Sequence, residues 1–362
     1  GIVGAMACLT AAILSGMAAS VLARWPGDPA VNLPICVERR GQRAGFIATD
    51  GSGGAIIPWE DYRYYPGVDI YAQRVDAEGI VRWDSNGVSI CSAIWPQEFP
   101  LSVADQSGGG IIAWWDYRHG YYADLYAQRV DSLGTGQWEA NGVPVCTTAS
   151  DQRLLAMVPD GTGGAILVWT DASFDPPEID IRAQRIDGDG SLLWTQEGVA
   201  VCTVTGEQDD PVAVPDGSGG AIVAWQDRRR WYESDIYAQR VSSGGLVEWA
   251  VGGVPLCTAD NDQKGPAITS DSSGGAIVVW TDYRSTGADV YVQRVDSSGA
   301  TRWTQNGLLL VSPGVAGPIT TDGGGGAIIL WQLYGELRAQ RVDGEGQFRW
   351  DPAGVLICTW SP

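Results

Sequence analysis

Apolar and polar positions follow a repeating order along most of this chain. The run 221–225 (AIVAW) is apolar throughout, and the segment 235–241 (DIYAQRV) alternates, with Ile, Ala and Arg on one side and Tyr, Gln and Val on the other. The continuous run predicts a strand buried on both faces, and the alternation predicts a strand with two different faces. No helical period appears after residue 23, so the pattern predicts an all-β protein.

The same order returns six times. The phrase Gly-Gly-(Ala/Gly)-Ile-(Ile/Leu/Val)-x-Trp ends at Trp59, Trp114, Trp169, Trp225, Trp280 and Trp331, at intervals of 55, 55, 56, 55 and 51 residues. Each copy is followed by (Ala/Val)-Gln-Arg, by a glycine turn with a tryptophan, and by Gly-Val-x-(Ile/Val/Leu)-Cys or a close variant, with Val311 replacing the cysteine once. A fixed period of this length is the signature of a repeat architecture.

Each unit predicts four short strands, here called A to D. Strand A (211–214 in one unit) leads through an Asp-Gly-Ser-Gly-Gly turn into the apolar strand B, and the alternating strand C leads through a short turn into strand D, which is predicted to end at the tryptophan. Four antiparallel strands per unit are typical of a propeller blade. We therefore expect residues 24–362 to form a six-bladed β-propeller, with repeats at roughly 37–91, 92–146, 147–202, 203–257, 258–311 and 312–358. An open β-repeat array and a fragment of a larger propeller are the alternatives.

Each repeat unit has an end, which is the segment from the late tryptophan to the cysteine, and a body, which is the rest of the unit. The chain contains seven unit ends but only six unit bodies. Arg24-Trp25 with Ile35-Cys36 resembles Arg349-Trp350 with Ile357-Cys358. If the N-terminal copy closes the ring by pairing beside the last blade, Cys36 and Cys358 come close enough for a disulfide. The alternative is again a piece of a longer propeller.

The N-terminal region differs from the repeats. Residues 1–23 contain no charged side chain, and Val21-Leu22-Ala23 matches a signal-peptidase site, so we predict an export signal and a secreted or cell-surface protein of bacterial type. The alternative is a retained hydrophobic segment, which would place the protein in a membrane or an assembly.

The remaining composition excludes some classes of function. The net charge of −20, from 43 acidic and 23 basic residues, disfavours nucleic acid and anionic lipid as partners. His119 is the only histidine, so neither a histidine metal site nor a Ser–His–Asp triad is expected.

The strand C to strand D hairpin, for example residues 74–83 (RVDAEGIVRW), resembles the blades of quinoprotein-type propellers. It is also similar to the Asp-box of sialidase propellers, although the Asp-to-Gly and Gly-to-Trp spacings are each one residue longer. The resemblance extends over residues 24–362 and implies an exported bacterial propeller-repeat protein. It carries over neither quinone binding nor sialidase chemistry.

Residues that occur in every unit are interpreted as structural. We expect the arginines of the Gln-Arg phrase to pair with the aspartates two residues after the strand-B tryptophan, Asp61, Asp116, Asp171, Asp227 and Asp282. The alternative use of these aspartates is Ca²⁺ binding together with Asp69, Asp124, Asp180, Asp235 and Asp289, but no known calcium spacing is present. The cysteines are expected to be small buried residues, one per blade. No catalytic residue, metal site or cofactor is predicted.

The loop between strands B and C differs from unit to unit and is rich in aromatic residues and arginine. All six loops should emerge on one face of the ring, where variable loops commonly carry binding residues. The candidate ligand-binding residues are Tyr64, Tyr65, Tyr121, Tyr122, Trp231 and Tyr232. The structural alternative is that these aromatic side chains only cap the blade edges.

Three functions fit the sequence. The favoured one is an exported, non-enzymatic binding or scaffold module that recognises a polysaccharide or a cell-surface protein. The second is a propeller glycoside hydrolase or lyase that uses loop carboxylates, Asp175, Glu178, Glu233, Asp209 or Asp210. The third is a self-assembling extracellular subunit that retains residues 1–23.

Overall fold

The computed structural model describes residues 32–64, 67–174, 177–230 and 232–359. The predicted export segment 1–23, the unit-end residues Arg24 and Trp25, and the candidate residues Tyr65 and Trp231 lie outside the described residues. Across the part of the chain that is described, no helix combines the length and apolar content needed to span a bilayer.

The described strands form six antiparallel sheets, and each sheet follows the order A–B–C–D along the chain. In blade 1, strand A is interrupted and consists of β1 (Gln42–Ala44) and β2 (Ala48–Thr49), followed by β3 (Ala55–Asp61), β4 (Asp69–Val75) and β5 (Val88–Cys91). Blade 2 contains β6 (Gln97–Ala104), β7 (Gly110–Asp116), β8 (Asp124–Val130) and β9 (Val143–Cys146). Blade 3 contains β10 (Asp151–Pro159), β11 (Ala165–Phe174), β12 (Pro177–Ile186) and β13 (Val199–Cys202).

The second half repeats this arrangement. Blade 4 contains β14 (Gln208–Pro215), β15 (Ala221–Asp227), β16 (Asp235–Val241) and β17 (Val254–Cys257). Blade 5 contains β18 (Gln263–Ser270), β19 (Ala276–Asp282), β20 (Asp289–Val295) and β21 (Leu308–Val311). Blade 6 contains β22 (Val315–Thr321), β23 (Ala327–Leu333), β24 (Glu336–Val342) and β25 (Val355–Thr359). The predicted six-bladed β-propeller is confirmed.

The apolar strand B packs between neighbouring blades, as its sequence predicts. In blade 4, Ile222 and Ala224 pack with Val278 and Trp280 of blade 5, and all four side chains are fully buried. Equivalent clusters join each of the other consecutive pairs of blades. Because a single sheet cannot bury both of its faces, most of the apolar stabilisation comes from these contacts between blades.

Strand D begins later than the sequence predicts. The tryptophan segment makes only an isolated bridge, such as Val75 with Val81, and the strand itself is the Gly-Val-x-x-Cys segment that follows. The physical reason is a side chain: Gln73 Oε1 accepts a hydrogen bond from Trp83 N, and Gln73 Nε2 donates to Asp84 O, both at 2.9 Å. The glutamine side chain thus replaces the backbone ladder at this point.

The predicted ion pairs of the Gln-Arg arginines are wrong. Arg74 pairs with Asp50 of the A–B turn at 2.8 Å, and the same pairing recurs in the other five blades. Strands B and C are antiparallel with Ile56 opposite Arg74 and Asp61 opposite Asp69, so Asp61 lies at the far end of the strand from Arg74.

The strand-B aspartates pair instead with nearby arginines. Asp61 binds Arg63, two residues further along, at 2.7 Å, and equivalent pairs form at Asp116, Asp227 and Asp282. In blade 3, where Ser173 replaces this arginine, Asp171 pairs with Arg182 of strand C at 2.8 Å.

Cys36 of the N-terminal unit end and the residue that follows it lie on blade 1. The Arg63 guanidinium contacts Cys36 Sγ at 3.8 Å, and Val37 N donates to Asn86 Oδ1 at 2.8 Å. The sheet of blade 6 consists of β22 to β25, without a strand from the described N-terminal residues. Cys36 and Cys358 are both free thiols, and Cys358 is exposed. The described residues therefore place this unit end against the first blade and not beside the last strand.

Candidate functional site: the B–C loop face

The loops between strands B and C share one face of the propeller with the loops that connect consecutive blades. In blade 2 the register places Gln97, the first residue of strand A, opposite Asp116, the last residue of strand B. The segment 92–96 therefore lies beside the loop 117–123, and blades 1, 3, 4 and 5 pair the corresponding glutamine and aspartate in the same way. We call this surface the B–C loop face. The A–B and C–D turns form the opposite face.

Four of the six predicted binding residues are described, and all four are exposed. Tyr64 in blade 1 is 68% exposed, Tyr121 in blade 2 is 98% exposed, and Tyr232 in blade 4 is 96% exposed. Tyr122 is also exposed, whereas Tyr65 and Trp231 lie outside the described residues. These tyrosines belong to three different blades, so the structure distributes them over the face.

The base of each of these loops is held by a repeated polar group. In blade 1, Arg63 donates to both carboxylate oxygens of Asp61 at 2.8 and 2.7 Å, and its guanidinium lies 3.8 Å from the centre of the Tyr71 ring. The indole Nε1 of Trp59 donates to the same carboxylate at 2.7 Å. Because blades 2, 4 and 5 repeat this group, it is a scaffold for the loops.

Strand A carries a second set of blade-specific side chains at this face, which the sequence reasoning missed. On strand A, one residue pairs with the position directly after the strand-B tryptophan. The charge or polarity of this strand-A residue differs from blade to blade. These residues are Arg43, Glu98, Arg153, Asp209, Lys264 and Val315. Because the A strands of successive blades contact one another, these residues lie at the inner edge of the sheets. Aligning the units on the preceding glutamine would have revealed this variation.

Blades 1 and 2 combine acidic and basic groups at this inner position. The carboxylate of Glu60, only 2% exposed, accepts hydrogen bonds from Phe99 N and from the Tyr62 hydroxyl, both at 3.0 Å. The Arg43 guanidinium lies 3.7 Å from the same carboxylate. Burial raises the pKa of Glu98, and the negative charge of Glu60 raises it further. The arrangement holds polar groups near the centre of the face.

Two inner-strand residues adopt a strained backbone. Phe99 has φ of 53° and Asp210 has φ of 50°, and each lies at a register shift between strands A and B. Side chains other than glycine rarely adopt this conformation, and bulges of this kind redirect side chains next to functional sites. Burial raises the pKa of Asp210, and the neighbouring Asp209 charge raises it further.

The structure also locates the carboxylates of the enzymatic alternative. Asp209 and Asp210 lie on strand A of blade 4, Glu178 lies on strand C of blade 3, and Glu233 lies in the B–C loop of blade 4. Asp175 lies outside the described residues. Burial, followed by the charge of Glu178, raises the pKa of Asp180 to about 6. These groups are distributed over two blades.

The described residues contain no ligand cluster for the alternative in which the aspartates bind Ca²⁺. Within residues 32–359, apart from the undescribed positions, no three of His, Cys, Asp and Glu approach closely enough to hold a metal ion. In blades 1, 2, 4 and 5, the strand-B aspartate is bound by arginine, as at Asp61 and Asp282.

The sequence matches no known protein family and no curated protein. The structure is similar to the polysaccharide lyase Uly1, with a TM-score of 0.52 and 9% identity over 94% of this chain and 86% of that chain. It is also similar to an ulvan lyase bound to -[GlcA(1-4)Rha3S]-, with a TM-score of 0.50 and 12% identity over 83% and 78%. A protein of unknown function from Dyadobacter fermentans aligns with a TM-score of 0.48 and 10% identity over 87% and 94%. The likeness to the two lyases, at these identities, shows a shared propeller-like fold.

Proposed function

We propose that this protein is an exported, non-enzymatic binding module that recognises a polysaccharide through the B–C loop face. The observation that carries the proposal is the exposure of Tyr64, Tyr121 and Tyr232 on loops that differ between blades. The repeated aromatic residues of the scaffold, such as Trp225 and Trp280, are fully buried. Exposed aromatic rings on a rigid frame provide flat apolar surfaces for sugar rings and lose little conformational entropy on binding.

The inner strands support the same ligand class. Arg43, Glu98, Arg153 and Lys264 provide hydrogen-bond donors and acceptors beside the loops, and sugar hydroxyls require both. The neighbours with TM-scores of at least 0.5 act on polysaccharides, which is consistent with this ligand class but does not select it. A cell-surface protein remains the second partner in the proposal.

Catalysis is the second candidate function. It is favoured by the strained backbone and raised pKa of Asp210, because perturbed carboxyl groups are common in active sites. Assembly through retained residues 1–23 is the third candidate. N-terminal sequencing of the exported protein tests it: a start near Arg24 excludes the retained segment.

A glycan array followed by a turnover assay separates binding from catalysis. We expect at least one polysaccharide to bind and to be recovered at its original length after prolonged incubation. Shortened or unsaturated products would replace the binding proposal with the enzymatic one, and Asp210→Asn should then abolish their formation. If no glycan on the array binds, the polysaccharide proposal fails.

A further inference from the structure

The outer strand of blade 6 is exposed at a position that is buried in every other blade. Ile357 is 42% exposed, whereas the equivalent residues are at most 7% exposed: Ile90, Val145, Val201, Leu256 and Leu310. Cys358 is exposed, whereas Cys91, Cys146, Cys202 and Cys257 are buried. The apolar cluster around Leu330 contains only residues of blade 6. In blades 1 to 5 the next blade covers this face of the sheet. Among the described residues, nothing covers the same face of blade 6.

Among the described residues, two hydrogen-bond donors on this face also lack the acceptor that their counterparts have. In blade 5, Arg294 and Trp303 both donate to Gly344 O of the next blade, at 2.9 and 3.2 Å. Blades 1 to 4 repeat this pair of bonds to one carbonyl of the following C–D turn. In blade 6 the corresponding side chains are Arg341 and Trp350, and within the described residues neither donates to a following turn. The Arg341 side chain is 41% exposed, against at most 23% for its counterparts.

Blade 1 already holds the end of a preceding unit. Its Arg63 contacts Cys36 and its Asn86 accepts a hydrogen bond from Val37. In blade 2, Arg118 contacts Cys91 at 3.4 Å and Asn141 Oδ1 accepts from Ser92 N at 2.9 Å. Residues 36 and 37 thus occupy, on blade 1, the positions that residues 91 and 92 occupy on blade 2.

We infer that the uncovered face of blade 6 and the N-terminal unit end on blade 1 together form the docking site of a seventh repeat body, consisting of strands A to C without a strand D of its own. The N-terminal unit end, which includes Cys36, provides its fourth strand. A complete blade does not fit this site, because its own cysteine strand would need the place on Arg63 that Cys36 holds. The same conflict excludes blade 6 of this chain and blade 6 of a second copy. The five existing interfaces between blades define the geometry that the seventh body must match.

The proposal specifies the contacts of the incoming body. A carbonyl of its C–D turn accepts hydrogen bonds from Arg341 and Trp350. The arginine of its B–C loop reaches Cys358 Sγ, as Arg284 reaches Cys257 at 3.0 Å. Its strand B covers Leu330 and Ile357. Its strand C pairs with the residues that precede Cys36.

The test supplies this body within the full chain. A copy of residues 258–301, which is blade 5 without its last strand, is fused directly after Cys358, in place of residues 359–362. The matched control is the same fusion with Val278→Asp in the added copy, because Val278 packs against the preceding blade in its native position. The readout is the rate at which a thiol reagent modifies Cys358, assigned by comparison with Cys358→Ser in each protein.

We expect Cys358 to react about tenfold or more slowly in the fusion than in the unfused chain and the control fusion. Equal rates in the fusion and the control would overturn the proposal. A Cys358 that is already protected in the monomeric unfused chain would show closure by blade 1 and would also overturn it. Protection that appears only with dimerisation, measured by light scattering, would assign the site to a second copy and reject the seventh body.

Discussion

Arg284 shows how one residue holds the base of a loop. Its guanidinium donates to both oxygens of Asp282 at 2.8 and 2.6 Å and lies 3.8 Å from the centre of the Tyr291 ring. It also contacts Cys257 Sγ and donates to Asn306 O. Asp282 is fully buried, so its charge depends on this partner.

The first prediction concerns this pair. Arg284→Met should lower the free energy of unfolding by about 3 kcal/mol, because it leaves the buried carboxylate of Asp282 without its cation. The matched control is Arg302→Met, since Arg302 is exposed and lies 3.5 Å from Asp296. The control should cost less than about 1 kcal/mol. Urea denaturation measures both, and equal losses would show that Arg284 has no special structural role.

Blade 3 contains a natural replacement for this arginine, which provides a second prediction. There Ser173 stands at the arginine position, and Arg182 stands where blades 1, 2, 4 and 5 have tyrosine. We expect Arg284→Ser combined with Tyr291→Arg to be about 1 kcal/mol more stable than Arg284→Ser alone. Tyr291→Arg alone should destabilise the protein, because two guanidinium groups would then compete for Asp282. A double variant no more stable than the single variant would contradict this interpretation.

A third prediction concerns Asp180, whose Oδ1 is buried and has no hydrogen-bond partner among the described residues. Its pKa in the folded protein is about 6, against an ordinary value of 3.8, so the unfolded state ionises first. Stability is therefore lost as the pH rises from about 4 through 6. Asp180→Asn should raise the melting temperature at pH 7.5 and have little effect at pH 4. An equal effect at both pH values would show that ionisation of Asp180 is not the cause.

At the scale of the element, the glycine before each strand D is fixed by packing as well as by backbone conformation. Gly253 has φ of 88°, and a Cβ atom there would lie 2.5 Å from Cη2 of Trp225. Gly217 in an A–B turn has φ of 78°, but a Cβ atom there would have no neighbour within 4 Å. An alanine at Gly217 therefore tests only the cost of the left-handed backbone in free energy of unfolding. An alanine at Gly253 tests that cost together with the steric clash.

The fourth prediction follows from this comparison. Gly217→Ala should cost about 1 kcal/mol, because only the left-handed backbone penalises it. Gly253→Ala should cost about 3 kcal/mol or more, since the added methyl group must displace the tryptophan that fills the blade interface. Thermal or urea unfolding of both variants provides the measurement. Similar losses would mean that Trp225 can move at little cost.

The strands could be predicted from the sequence where backbone pairing and apolar pattern agree. The run at 221–225 and the alternation at 235–241 predict strands B and C where the structure has them. The sequence pattern predicts strand D too early, because the Gln73 side chain holds the Trp83 segment in place of a strand partner. A sequence pattern does not report such a substitution of side chain for backbone.

The candidate site could be predicted only in part, for a similar reason. The variable loops with Tyr64 and Tyr121 are visible as breaks in the repeat. The inner-strand residues Arg43 and Glu98 lie inside a repeated strand, and their common position becomes clear only from the register of strands A and B. The ion pairs of the arginines depend on the same register, so the sequence alone predicts the wrong aspartate for Arg74.

At the scale of the whole molecule, the described residues form six blades that stack through five equivalent interfaces, and the repeated residues are mainly scaffold. The number of blades followed from the period of the sequence. The contact of the N-terminal unit end with blade 1 did not follow, because seven unit ends and six bodies are compatible with more than one arrangement. What varies between blades is concentrated on the B–C loop face, where we place the function.

The most direct test of this account compares the two faces of the propeller by calorimetric titration with the glycan that binds best on the array. Tyr121→Ala combined with Tyr232→Ala should weaken binding by about tenfold or more, because each removes an exposed ring from the B–C loop face. The control combines Leu133→Ala and Leu246→Ala, which remove exposed apolar side chains from the opposite face and should leave the affinity unchanged. Unchanged binding in the tyrosine variant, or an equal loss in the leucine variant, would contradict the proposed function.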